Sequence, residues 1–447
     1  MKGGTAMDTN TSKLNIAVIG GDGRVHAIIR ALKKSPRCGK IYALPGNGGI
    51  MDDAECVSIA ATDLDGIVEF CTRNPVDFAA VIPDDPLALG LTDLLRDKGI
   101  PCFGPSAKAA VIESSKAFSK ELMKKYGIPT AKYETFSDID AALECVRNHT
   151  MPVVIKADGL ALGKGVIIAT NVADAEEAVR SMMVDEKFGK SGKTVVIEEY
   201  LVGAEVSVLA FTDGKTVVPM PSSMDHKRAL DGNLGPNTGG MGAVSPNPFY
   251  TEEVHKQTME RIILPTVDAM NKEGRPFKGC LYLGLMRTAD GPKVIEYNCR
   301  FGDPETQAVL PLLKSDLVEI MLAVENGTLD TCPVEFSDEA CCCLVLASGG
   351  YPENYEKGKL IIFEDVPDDV EVFHAGTLRT ELGYITSGGR VLDVTAVRDS
   401  LEDAVGAAYA AAEHIGFDKM YYRKDIGQTA LRQTMSMIAA LLSGSEF

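Results

Sequence analysis

Three short runs of β-branched residues, each closing on charge, limit what this chain can fold into. They are Val153-Val154-Ile155-Lys156, Val195-Val196-Ile197-Glu198-Glu199 and Lys293-Val294-Ile295-Glu296-Tyr297-Asn298-Cys299-Arg300. Runs of this composition read as strands buried on both faces. A buried strand that ends on a lysine or a carboxylate needs a partner for that charge. Taken singly, each run also fits a plainer reading, a lysine that snorkels to solvent or a solvated turn after a strand.

The rest of the chain supplies a frame for these runs. Leu14 to Ile19 is an apolar run that ends in Gly20-Gly21-Asp22-Gly23, and a helical pattern follows from Val25 to Lys33. Further strands read at Lys40 to Leu44 and Asp77 to Ile82. Strand–helix alternation of this kind predicts an α/β fold, here a doubly wound parallel sheet, with ligands at the carboxyl ends of the strands. The glycines and Asn47 fall there. Read from Gly21 the loop spells G-x-G-x-x-H, which lacks the third glycine of a dinucleotide fingerprint. A phosphate at the helix N-terminus remains compatible with it. One helix is predicted from about Ala107 to Lys125, carrying Lys116 and stopped by Gly127-Ile128-Pro129. From about Ser337 the chain is strand-rich, with Gly349-Gly350 and Gly388-Gly389 at turns.

A length of 447 residues implies roughly three domains. The boundaries read as a disordered leader over 1–12, a sheet domain over 13–113, a central domain over 114–322 and a strand-rich domain over 335–440. The formal charge of −18 argues against tracking a nucleic-acid backbone. No apolar stretch approaches the ~20 residues that span a bilayer. The eleven cysteines form no C-x-x-C pair, and Cys341, Cys342 and Cys343 alternate faces on a strand, so they pack rather than share a metal. A reducing, cytoplasmic setting fits them.

The chemistry gathers around the three runs. The loop Ala157 to Lys164, between Lys156 and a strand over 165–169, is glycine-bearing and suits a nucleotide phosphate clamp. After Glu198 and Glu199, the strand edge at Leu201 offers backbone groups to an adenine, and Glu205 can accept from ribose hydroxyls. Glu296, Asn298 and Arg300 share a face by the period of two. A carboxylate with an amide oxygen suits Mg²⁺, and Arg300 beside them would offset phosphoryl charge. The stretch 222–242 holds His226, Lys227 and Arg228 before a Gly/Asn-rich turn; it reads as an anion-binding loop or as a solvated one.

The order of these elements resembles the ATP-grasp superfamily. Along nearly the whole chain, the sequence is similar to the glycinamide ribonucleotide synthetase family. The segments that carry this are PGNGG (45–49), SKAFSKELMKKYGIPTAKY (115–133), VIKADGLALGKGVIIA (154–169), VIEEYLVGAEVS (197–207), DHKRALDGNLGPNTGGMGAVSP (225–246) and KVIEYNCRFGDPETQ (293–307). FHAGT (373–377), TSGGRVL (386–392) and YRKDIG (422–427) extend it. The resemblance implies an ATP-grasp centre of two α+β subdomains, with a flexible lid over about 134–203. It implies ATP with Mg²⁺ or Mn²⁺, glycine and phosphoribosylamine as substrates, no nucleic acid or membrane, and a monomer or weak homodimer. Lys116, Lys156, Gly159, Gly163 and Gly165 would address the ATP phosphates. Glu198, Glu199 and Leu201 would take the adenine, and Glu205 the ribose. Glu296 and Asn298 would bind the metal, and Arg300, Asp303 and Lys156 would act at the reacting centre. Asp225, His226, Lys227, Arg228, Asn237, Thr238, Gly239, Gly240 and Arg300 would line the substrate site. Gly23, Arg24 and Asn47 would hold the phosphoribosyl end. Two departures fall on that end. The first loop reads GGDGRVHA where the family has GNGGREHA, and Asp84 stands where the family has a glutamate. A different ATP-grasp ligase and a silent nucleotide-binding protein are the alternatives.

Overall fold

A computed structural model describes residues 12–160, 165–184 and 192–443. Gly163 and the leader before Ser12 lie outside the described residues.

Five strands form the first sheet: β1 (Leu14–Gly20), β2 (Cys38–Pro45), β3 (Glu55–Cys56), β4 (Phe78–Val81) and β5 (Cys102–Phe103). Their order is β3-β2-β1-β4-β5, and every neighbouring pair is parallel. β4 and the second half of β1 are buried throughout, which is why they read as unbroken apolar runs. The order reverses at β1, so its carboxyl end is a topological switch point. There α1 (Gly23–Lys33) begins, two residues before its apolar pattern does. A cap sets that start: Asp22 Oδ1 accepts from Val25 N at 3.1 Å. Val25 itself is buried beside Ile28, Ile29 and Leu32.

The single helix expected over 107–125 is two, α2 (Ala107–Ser114) and α3 (Lys116–Tyr126). Ser115 separates them in an extended conformation, and its hydroxyl accepts from Phe118 N at 3.1 Å to cap α3. The run from 107 to 125 holds no glycine or proline to mark such a break. β6 (Tyr133–Phe136), β7 (Val153–Ala157), β8 (Val166–Ala169) and β9 (Val195–Glu199) make an antiparallel sheet in the order β6-β9-β7-β8. The helices Ile139–Asn148 and Val172–Met183 pack with it around Leu143, Val146, Val179 and Met182. A second antiparallel sheet has the order β11-β10-β12-β13, from β10 (Ala204–Thr212), β11 (Val217–Pro219), β12 (Gly279–Thr288) and β13 (Gly291–Asn298). The cleft between these two sheets holds the ends of β7, β9 and β13.

After α4 (Glu305–Val309) the chain enters a six-stranded sheet built on β14 (Ala340–Ser348), β15 (Val370–His374) and β16 (Arg390–Arg398). Met224–Asp225 and Gly242–Ser245, the two ends of the loop predicted to bind substrate, are strands of this sheet. The C-terminal layer therefore anchors a loop that faces the central cleft. Cys341, Cys342 and Cys343 are fully buried in β14 and alternate between two apolar clusters. Among the described residues no helix is long and apolar enough to cross a membrane.

Candidate active site

The end of β7 places Lys156 in the cleft almost without solvent. Its ammonium donates to Ile295 O at 2.9 Å and pairs with Glu198 Oε1 at 3.0 Å. The other oxygen of Glu198 pairs with Lys120 at 2.8 Å. All three side chains are at most 4% exposed. Two ammonium groups thus share one carboxylate in a low-dielectric site, which leaves a net positive charge for an anionic ligand. Burial lowers the Lys120 pKa from 10.5 to about 8. Lys116, one turn before Lys120 on α3, donates to Gly159 O at 2.8 Å, and burial lowers its pKa also. Lys120 is a site residue that the sequence reading missed. The i, i+4 spacing from Lys116 is the signal that could have found it. Glu199 is turned away from this group and accepts from Lys132 N at 3.0 Å. Gly159, Gly165, Glu199, Leu201 and Glu205 line the same cavity, which measures about 1160 Å³.

Glu296 projects into this cavity from β13. Gly284, across from it on β12, leaves only 3.1 Å between its own would-be Cβ and Glu296 Cγ, so any larger residue would crowd the carboxylate. Burial works against ionisation of Glu296, but Lys227, Lys156, Lys116 and Arg300 outweigh it and hold its pKa below the usual range. Asn298 ends β13, and its Oδ1 accepts from Arg300 Nη2 at 3.2 Å. Arg300 lies past the strand end in a bend rather than on the strand, yet it still reaches the face that alternation predicts. It pairs with Glu113 of α2 at 3.2 Å, and Glu113 accepts from Cys299 N at 2.7 Å. Among the described residues no group of three or more His, Cys, Asp or Glu is placed to hold a metal. An ionised carboxylate with one amide oxygen fits an ion whose other positions are phosphate and water.

The substrate loop divides its residues between the cleft and the scaffold. Lys227 pairs with Glu205 at 3.2 Å, and that carboxylate holds its pKa well above the ordinary value. Asp225 faces the cleft with Oδ1 buried and without a hydrogen bond among the described residues. Burial, with Glu305 beside it, pushes its pKa well up. Glu305 accepts from Tyr282 Oη at 2.6 Å, a contact the sequence did not suggest. His226 is used internally. Its Nδ1 donates to Gly242 O at 3.2 Å, and its Nε2 accepts from Gly427 N at 3.3 Å. Burial lowers its pKa to about 4, so it is neutral. Arg228 donates to Gly235 O, and Thr238 to Lys227 O, both bracing the turn that presents Asn237 and Gly239 to the cavity. Gly240 has no room for a side chain, because Asp225 and Pro304 close over it.

At the switch point, Gly23 lies under the carboxylate of Asp393, and any Cβ there would collide with it. Arg24 Nη1 donates to Phe301 O at 2.9 Å, while Nε and Nη2 hold Asp22 Oδ2 at 3.0 and 2.8 Å. The Asn47 amide donates to Gly21 O and His374 O, and its oxygen accepts from Gly49 N and Ile50 N. These three residues brace a second cavity of about 490 Å³, whose wall is formed by Gly20, Gly21, Asp22 and Gly46 themselves.

The chain is similar to known proteins along most of its length. Residues 14–113, 114–306 and 341–429 match the N domain, the ATP-grasp (A) domain and the C domain of phosphoribosylglycinamide synthetase. A phosphoribosylamine–glycine ligase of Halalkalibacterium halodurans is 47% identical over 421 residues, 94% of this chain and 98% of that protein. The bifunctional purine biosynthetic protein PUR2,5 of Pichia angusta is 46% identical over 428 residues; the match takes in 94% of this chain but only 54% of that protein. The chain therefore spans about half the length of that relative. Among solved structures, phosphoribosylamine–glycine ligase from Thermotoga maritima gives a TM-score of 0.82 at 33% identity, over 92% of this chain and 100% of that one. A biotin carboxylase from Campylobacter jejuni gives 0.72 at 14% identity, over 92% and 93%, and shares the fold alone. The chain belongs to the phosphoribosylglycinamide synthetase family.

Proposed function

We propose that this chain joins glycine to 5-phosphoribosylamine at the expense of ATP, giving glycinamide ribonucleotide, ADP and phosphate in purine biosynthesis. The observation that carries this reading is the meeting of Lys116, Lys120, Lys156, Glu198, Glu296 and Asn298 in one cavity, although they lie far apart in the chain. Two buried lysines, Lys120 and Lys156, with the half-buried Lys116 make a seat for a triphosphate. Backbone at Glu199 to Leu201 borders the adenine, and Glu205 the ribose. Gly159 and Gly165 flank the phosphates.

The glycine carboxylate attacks the γ-phosphoryl group, and ADP leaves with the bonding pair. The amine of phosphoribosylamine then attacks the acyl carbon of glycyl phosphate and expels inorganic phosphate. Lys156 and Arg300 offset charge on the transferring phosphoryl group, and Lys116 orders the loop at Gly159. The carboxylate of Asp225 and the backbone at Asn237 to Gly240 face the glycine. A divalent ion, Mg²⁺ or Mn²⁺, would be held by Glu296 and Asn298 and would neutralise phosphate charge there.

A coupled assay of ADP release tests this reading, with each substrate omitted in turn. Release that requires glycine and phosphoribosylamine together is the expected outcome. Equal release with another acid–amine pair, or none with any, would sink it.

A further inference from the structure

Glu113 is a buried acid to which the reaction gives no obvious task. It stands on α2, across the Ser115 break from Lys116 and Lys120 on α3. It is 7% exposed, and both of its oxygens are used. Oε2 accepts from Cys299 N at 2.7 Å, and Oε1 pairs with Arg300 Nη2 at 3.2 Å. One carboxylate therefore holds the backbone of one residue and the side chain of the next. It does so where the chain leaves β13 and bends.

Arg300 makes no other ion pair among the described residues. Its Nη1 donates to Phe301 O at 3.1 Å and its Nη2 to Asn298 Oδ1 at 3.2 Å. Its Nε is buried and has no acceptor among the described residues. Neutral acceptors hold a guanidinium weakly, whereas a charged partner roughly doubles the strength of the contact. Glu113 thus decides the direction of the fork. Asp84 lines the same cavity and is the next carboxylate to act on this guanidinium, so Arg300 is drawn toward the first sheet once Glu113 loses its charge.

We infer that Glu113 is a positioning residue for phosphoryl transfer, which aims the Arg300 guanidinium at the γ-phosphoryl group and keeps it in register with the lysines of α3. This rests on the ligase reading and adds a residue to it. In the transfer, a glycine carboxylate oxygen bonds to the γ-phosphorus as the bond from that phosphorus to the β–γ bridging oxygen breaks, and ADP leaves with the electron pair. The charge to be met lies on the outer oxygens of the moving group, so placement of the cation governs the rate. Glu113 touches none of these atoms and moves no proton. Lys116 and Arg300 approach the phosphates from two elements, α3 and the end of β13, and Glu113 ties those elements together.

The test compares the full-length wild type with Glu113→Gln, Arg300→Gln, the double variant and Arg300→Lys, by ADP release with glycine and phosphoribosylamine. Glu113→Gln keeps an oxygen for Cys299 N and removes the charge beside Arg300. It lowers kcat by about tenfold to a hundredfold, the effect of misplacing a group that meets the transition state. KM for ATP and for glycine stays within about twofold, because the lost interaction forms only in the transition state. Arg300→Gln lowers kcat by about a hundredfold or more. In that background Glu113→Gln lowers kcat by less than about a further twofold, since Glu113 acts through Arg300. Arg300→Lys keeps the charge but loses the fork, and its kcat falls by about tenfold or more. Unchanged kcat in Glu113→Gln overturns the inference. Equal losses from Glu113→Gln in both backgrounds, with a lower Tm, mark a merely structural residue and overturn it also. An Arg300→Lys enzyme with wild-type kcat does the same, whether or not Glu113→Gln folds, because charge without direction would then suffice. Failure of the ligase reading looks different: wild type itself would release no ADP with glycine and phosphoribosylamine, and the inference would fall with it.

Discussion

Glu198→Gln is the substitution on which the reading of the nucleotide site can be tested most sharply. The change keeps the shape of the side chain and removes the single carboxylate between two buried ammonium groups, at 2.8 Å from Lys120 and 3.0 Å from Lys156. Breaking a buried pair from one side costs about 3–5 kcal/mol, because the other charge stays desolvated and unpaired. At about 2–4 °C per kcal/mol this lowers Tm by roughly 6–20 °C. The pH dependence carries a definite sign. Lys120 has a folded-state pKa of about 8 against 10.5 when free, so the unfolded chain binds the proton more tightly. The wild type therefore gains stability as pH rises from about 8 toward 10.5. Without Glu198 that pKa drops further, so the deficit of the variant is widest below its own lowered pKa, shrinks as pH rises toward about 8, and is level above it, where Lys120 is neutral in both folded proteins. Thermal unfolding of both proteins in steps from pH 6 to pH 9 reads this directly. ATP should restore more Tm to the variant than it adds to the wild type, since phosphate replaces the missing negative charge. A Tm difference under about 2 °C, flat with pH, would refute the claim that this carboxylate neutralises the lysines.

Three other outcomes are expected. Glu296→Ala should abolish turnover while ATP still protects against thermal unfolding; retained ATP-dependent product formation would count against the metal assignment. Burial next to Asp303 raises the pKa of Asp393 to about 7, so the folded protein holds that proton more tightly and loses stability as pH rises from about 4 through 7. Asp393→Asn should remove this loss and raise stability at pH 8 by about 2–4 kcal/mol, measured by urea unfolding at pH 5 and pH 8; a variant with the same pH slope as wild type would disprove it. His226→Ala should cost about 1–3 kcal/mol by leaving Gly427 N without a partner and Gly242 O with only the backbone N–H of residue 226, and an unchanged urea midpoint would show that the ring does not tie the substrate loop to the C-terminal helix.

What was legible in the sequence follows from how far each feature depends on distant chain. The parallel sheet was readable because β1 and β4 are buried on both faces, so local composition reports their surroundings. Lys156, Glu198 and Glu296 were readable as a group because charge at the end of a buried strand is costly wherever the strand lies, which marks it as needing a partner. The identity of that partner is a different matter. Lys120 sits mid-helix in a run of ordinary lysines, and only the approach of β9 makes it unlike Lys124 or Lys125, which remain near the surface. Arg390 gave still less signal, since it opens a strand beside two glycines and its closest acceptor groups lie 87 and 151 residues earlier. The same distance explains its place in the structure. A group from a third layer reaches both cavities only where the layers converge, and the wall they share is that place. A local pattern marks a charge that needs a partner, whereas the partner itself is in position only once the distant layer has docked.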